Sequence, residues 1–196
     1  MNILDTLKPS QLKHIEIKNL KKDSVLFYEN ALCKSIGIVL EGEVSIVSYF
    51  EDGNEIVFNT IEKDGVFGNN LIFSSSPYYK GNIIINEDSR IAFIEKNELI
   101  TLLKSNESFM IEYLKIHSNF TKALNDKIKL LSISSAEERF YFFLHENRNE
   151  IKYKSITSLA KELYLERETL SRLLSKLIKE HKIVKKDRII KLKQGD

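Results

Sequence analysis

The stretch from Ser155 to Lys179 constrains this chain more than any other. Ile156, Leu159, Ala160 and Leu163 recur at i, i+3, i+4 and i+7, and after a tight joint Leu170, Leu173, Leu174, Leu177 and Ile178 repeat that spacing. Each set lays one apolar stripe along a helix. On the second helix Glu168, Ser171, Arg172, Ser175, Lys176 and Lys179 share the opposite face. A helix that buries leucines and presents Glu, Ser, Arg and Lys suits a DNA major groove, where Arg donates twice to guanine and Glu accepts from the cytosine amino group.

The charge distribution points the same way. Lys152 to Asp196 holds 13 Lys+Arg against 6 Asp+Glu, a net of +7, whereas Met1 to Ile151 holds 17 against 22, a net of −5. An anion-binding module therefore follows a more acidic region. Beyond the helices, Lys182-Ile183-Val184, Lys185-Lys186-Asp187-Arg188 and Ile189 to Leu192 read as strand, turn, strand. That is a hairpin tipped with two Lys and an Arg, in the position of a wing.

The remainder of the 196 residues reads in three parts. Residues 1–20 form a short amphipathic helix and a connection, with Leu4, Leu7 and Leu12 covering a neighbouring surface. From Asp23 to Glu95 the pattern is short strands rich in β-branched and aromatic residues: Val25–Tyr28, Ser35–Leu40, Val44–Tyr49, Glu55–Ile61, Asn82–Ile85 and Arg90–Ile94. Glu41-Gly42-Glu43, Glu51-Asp52-Gly53-Asn54 and Lys63-Asp64-Gly65 separate them as turns. No helix-period crossover intervenes, so a small antiparallel sandwich or barrel is expected, not a parallel sheet.

Lys96 to Lys104 reads as a short helix, with Ser105 or Asn106 capping a long one. On the long helix Met110, Leu114, His117, Thr121, Leu124, Ile128 and Leu131 follow alternating steps of four and three residues. That is a coiled-coil seam, with a polar centre at His117 and Thr121, and it pairs with its twin in a parallel dimer. Ser132 to Ser135 breaks the pattern. Ala136 to Asn147 is a further helix with Phe140, Phe143 and Leu144 inward.

Several chemistries are excluded. Cys33 is the one cysteine, which leaves no internal disulfide and no iron–sulfur or zinc site built on several thiolates. None of the four His lies in Val25–Ile94, so a metal-dependent oxygenase or isomerase in the β region lacks its ligands. No apolar run approaches the roughly 20 residues that span a bilayer, and the start of the chain lacks a signal-peptide core. The expectation is a cytoplasmic protein that is not an enzyme and carries no cofactor.

In this order the pieces resemble the Crp/Fnr family of bacterial transcription regulators. Ile38 to Val44 is similar to its strand, Glu-Gly turn and strand, and Lys63 to Gly68 to its glycine–aspartate turn with a following Phe-Gly pair. Ala136 to Phe140 is similar to the Glu-Arg start of its first DNA-domain helix, and Arg167 to Arg172 to its recognition helix. The likeness runs from about Leu20 to Leu192. It implies an α+β chain: an antiparallel β-roll (a double-stranded β-helix) in a cyclic-nucleotide-binding-like sensor domain at 1–104, a dimerisation helix at 105–132 and a winged helix–turn–helix at 133–196. It implies Arg167, Glu168, Ser171 and Arg172 as base readers. Phosphate contacts would come from Ser155, Thr157, Lys176, Lys179, Lys185, Lys186 and Arg188. A homodimer would sit on a palindrome with TTGA- or TGTGA-like half-sites about 34 Å apart on double-stranded DNA, with RNA polymerase as a partner.

Two departures concern the joint: Tyr164 stands where the family often has Gly, and Glu166, a weak cap, where it commonly has Ser or Thr. Others concern the effector. Family members that bind cAMP use a Gly-Glu pair for the ribose and an Arg-Ser/Thr pair for the phosphate. Here Asn69 takes the Glu position, Tyr79 or Lys80 lies near the Arg position, and Leu124 and Asn125 replace adenine-contacting hydroxyls. Neither Asn nor Lys reproduces the bidentate fork of Arg. The effector pocket is thus assigned to Asn69, Asn70, Tyr79, Lys80, Leu124 and Asn125, for a small molecule other than cAMP. Alternatives are a regulator without effector, a thiol-redox response through Cys33, and a cyclic-nucleotide-binding interaction module. His117, facing its dimer mate, would titrate at about pH 6–7.

Overall fold

Short strands cannot each hide an apolar face alone, so they pair and stack. In the computed structural model, which describes residues 2–50 and 54–193, the β region forms two four-stranded antiparallel sheets. The part of the second turn at 51–53 lies outside the described residues. A 3-10 turn at Ile3–Thr6 and a short helix α1 (Pro9–Leu12) lead in. Strands β1 (Glu16–Leu20), β8 (Ser89–Glu95), β3 (Ser35–Glu41) and β6 (Val66–Phe67) make one sheet in that order. Strands β2 (Val25–Phe27), β7 (Asn82–Ile85), β4 (Val44–Tyr49) and β5 (Glu55–Ile61) make the other. Ile36, Ile38, Val39, Val44, Ile83, Ile85, Ile91 and Ile94 have no exposed surface and fill the core with Phe67. The Glu-Gly turn needs its glycine: Gly42 sits at φ +89°, and a Cβ there would collide with Ser89.

Three expectations for this region are corrected. Glu16–Leu20 is a strand, paired with β8 from Glu16↔Phe93 to Leu20↔Ser89, and not a connection. Four of its five residues are exposed, so it carries no alternating apolar signal; the backbone of β8 recruits it. Leu7 is buried and Leu4 packs on the core, but Leu12 is exposed. The edge strand β5 buries only Ile61 and leaves Ile56, Val57 and Phe58 exposed, beside a β-bulge between Ile46 and Val47 of β4.

Helix α2 (Lys96–Ser105) is followed by α3 (Glu107–Ser132). Asn106 marks the break: its Oδ1 accepts from the Phe109 N–H at 3.0 Å, and its Nδ2 donates to the Thr6 carbonyl at 2.9 Å. Two compact units result, residues 1–120 and 121–196, divided inside α3.

In the second unit Ser135 caps α4 (Ala136–Glu146). Then come β9 (Glu150–Lys152), α5 (Ile156–Glu162), α6 (Arg167–Lys179), β10 (Ile183–Lys186) and β11 (Ile189–Leu192). The last two strands pair as a hairpin across Asp187-Arg188, and β9 adds to β11, making a three-stranded sheet where the sequence pattern showed two strands. Phe140, Leu144, Leu159, Leu163, Leu170, Leu177 and Ile190 are fully buried at the centre of this unit.

Candidate nucleic-acid interface

Each half of the Ser155–Lys179 stretch folds as its periodicity dictates, and its end is set by a local device. Ser155 Oγ accepts from the Ser158 N–H at 3.0 Å while the Ser155 N–H donates to Ser158 Oγ at 3.0 Å, a reciprocal cap on α5. The Ser155 hydroxyl is therefore a cap as well as a candidate phosphate donor; Thr157 next to it is exposed. Leu170, Leu173, Leu174 and Leu177 bury one side of α6, but Ile178 at the end of the stripe is 39% exposed and lies at the margin of the core.

Turned to solvent on the other side, Arg167, Glu168, Ser171 and Arg172 line one shallow concavity. Arg172 Nε donates to the Glu168 carbonyl at 3.4 Å, which holds the guanidinium along the helix. Glu166 occupies the N-cap without any side-chain capping bond. The wing residues Lys185, Lys186 and Arg188 are all exposed around Asp187, whose φ is +53°. Lys179 is exposed as well. Lys176 differs from the others: its Nζ bonds Glu137 Oε2 at 2.8 Å, which raises the ammonium pKa and holds the Glu137 carboxyl below its usual range. Glu137 also lies 3.5 Å from Lys182.

The joint between the helices is held by a residue to which sequence reasoning gave no role. Arg139 Nη1 donates to the Tyr164 carbonyl at 2.8 Å and to that of Leu163 at 3.4 Å. Its Nε and Nη2 donate to the Ile133 carbonyl, at 3.1 and 2.6 Å, in the α3–α4 connection. Arg139 stands in the Glu-Arg pair, but nothing in the local pattern reveals carbonyls twenty-five residues away. Tyr164 takes φ +52°, and Lys127 Nζ lies 5.2 Å from its ring centroid.

The six effector residues are scattered in character. Asn69 is buried, and its carbonyl accepts from Tyr113 Oη at 3.4 Å; burial pushes the Tyr113 phenol up to about 12. Tyr79 is buried too, stacked on Phe27 at 4.9 Å, with a hydroxyl facing Cys33 and held protonated by burial. It is a core side chain. Asn70 and Lys80 are exposed on the β6–β7 connection, and Leu124 and Asn125 are exposed on α3 in the other unit. Cys33 is 3% exposed, directs its thiol to the Ser35 and Gly68 carbonyls, and has its pKa raised by burial. A buried neutral thiol is a poor redox handle.

Along α3, Met110, Leu114, Leu124, Ile128 and Leu131 are exposed, as is Thr121. His117 departs from the seam. Its ring packs edge-on to Tyr113 at 4.6 Å, its Nε2 is buried with no hydrogen-bond partner among the described residues, and burial lowers its pKa. Among the described residues no cluster of three or more His, Cys, Asp or Glu is arranged for a metal, and no helix is long and apolar enough to cross a membrane.

Residues 17–106 match the family model described as the cyclic nucleotide-binding domain. Over 124 residues, 63% of this chain, the sequence is 23% identical to the anaerobic regulatory protein of Bacillus subtilis (strain 168), and the match spans about half, 52%, of that protein. A solved CooA mutant from Carboxydothermus hydrogenoformans superposes with a TM-score of 0.68 at 20% identity, covering 99% of this chain and 92% of that one. CprK complexed with OCPA gives 0.69 at 18%, over 98% and 89%. The Thermus thermophilus catabolite activator protein gives 0.57 at 17%, over 97% and 93%. At these identities what is shared is the fold.

Proposed function

From the Crp/Fnr fold that runs the length of the chain and the cyclic nucleotide-binding domain within it, we propose that this protein is a sequence-specific DNA-binding transcription regulator that works as a homodimer. The observation that carries the reading is α6. Four buried leucines anchor it, while Arg167, Glu168, Ser171 and Arg172 stand together on its solvent side. Arg172 and Arg167 supply forked donors for guanine, Glu168 accepts from cytosine, and Ser171 is small enough to approach a thymine methyl. Lys179, Thr157 and the wing cations Lys185, Lys186 and Arg188 anchor phosphates without specifying sequence. Lys176 joins them when Glu137 lets it go.

The exposed apolar row Met110, Leu114, Leu124, Ile128 and Leu131 supports pairing through α3, because a stripe of that size on a free helix calls for a cover. Two copies would place two reading helices on a palindrome of TTGA- or TGTGA-like half-sites. RNA polymerase is the partner that such a regulator implies. Burial of Tyr79 and of the Asn69 position supports an effector other than cAMP. Selection of bound fragments from a random DNA pool with the purified protein tests the proposal. A two-fold symmetric consensus is expected, and enrichment of no sequence overturns it.

A further inference from the structure

Tyr164 sits in a backbone conformation that suits glycine. At φ +52° a bulky side chain is strained, and Gly would adopt the same turn freely. The ring is also 42% exposed, so it is not there to fill the core. Its contacts supply the reason. Lys127, on the last third of α3, holds its ammonium over the ring at 5.2 Å. The carbonyl of the same residue accepts from Arg139, whose other two donors grip Ile133 between α3 and α4. The turn itself is closed by Tyr164 N–H to the Lys161 carbonyl at 3.1 Å and Leu165 N–H to Ala160 at 2.9 Å. Arg167 and Glu168 begin three residues later. A rigid turn of that length passes any displacement of Tyr164 straight to the first turn of α6.

We infer that Tyr164 is a positioning residue: the joint by which the C-terminal part of α3, through Lys127, and the α3–α4 connection, through Arg139, set the orientation of the reading helix. The inference rests on the DNA-reading role of α6. It adds that this chain spends backbone strain at the joint to connect its dimer-seam helix to its base readers. A turn that served folding alone would hold glycine.

The test uses the full chain with two duplexes, one selected by the wild-type protein from a random pool and one of the same length with that sequence scrambled. Tyr164→Gly removes the ring and suits the φ angle. Lys127→Gln removes the cation from an exposed position. Tyr164→Phe keeps the ring and the strain. Tyr164→Gly and Lys127→Gln are each expected to lower the ratio of selected to scrambled affinity by about fivefold or more, and the double variant by no more than the larger single effect. Tyr164→Phe should retain the wild-type ratio, and Tyr164→Gly should melt no lower than wild type. An unchanged ratio in both single variants overturns the inference while leaving the DNA-reading role intact. If the wild-type protein selects no sequence, that role fails and the inference falls with it.

Discussion

Lys176 Nζ, on the outer side of α6, lies 2.8 Å from Glu137 Oε2 on the first turn of α4. The pair ties the reading helix to the helix behind it and withholds one cation from solution. Replacing Glu137 with Gln should release Lys176. Affinity for any duplex should rise at low salt, and the dependence of log K on log salt should steepen by roughly one phosphate contact. Titrations at several salt concentrations check this. The stability side has a defined sign. The folded-state pKa of Glu137 is depressed, so its contribution is present above the ordinary value of 4.5 and is lost as pH falls through the folded value. Lys176 is raised, so its contribution is present below 10.5 and lost above. The Tm difference between wild type and Glu137→Gln should thus close at the acid end.

Glu168→Ala and Arg172→Ala should each cost about 1–3 kcal/mol of discrimination and relax the preference at one position of each half-site. Repeating the random-pool selection with each variant reads this directly. An unaltered consensus would mean that other side chains read the bases.

The apolar stripe of α6 has a sharp edge. Leu177→Ala, at a fully buried position, should destabilise the protein by about 2–5 kcal/mol. Ile178→Ala, one residue on and 39% exposed, should stay within about 0.5 kcal/mol of wild type. Denaturant unfolding of the two variants measures the contrast.

Leu114→Glu and Ile128→Glu place charges on exposed positions of α3. Far-UV circular dichroism should be unchanged, while sedimentation velocity should show monomer in place of dimer, with specific DNA affinity lost alongside. A wild-type protein that sediments as a monomer at micromolar concentration would refute pairing through this helix.

cAMP should leave the melting temperature where it was, because a ligand stabilises only by binding the folded state. Tyr79 lies in the core and Lys80 in solvent, so neither presents a forked cation to a phosphate. A concentration-dependent rise in Tm would reverse this reading of the β6–β7 connection.

What the sequence by itself determined is what periodicity reports: where a segment buries its own face. The stripes of α5 and α6, the exposed row on α3 and six of the β strands carry that signal within a few residues, and so did the basic wing and the likeness to a family of regulators. Tertiary structure decided whatever depends on a partner far along the chain. Glu16–Leu20 became a strand because β8 offered an unpaired edge, and Glu150–Lys152 because β11 did. His117 belongs by spacing to the exposed row, yet it turned toward Tyr113. Ile178 matched its stripe but fell beyond the rim of the core. Tyr79 looked like a ligand group and packs on Phe27. Arg139 and Tyr164 met across twenty-five residues through a side-chain donor and a main-chain carbonyl, and a backbone carbonyl leaves no trace in the identity of the residue that bears it.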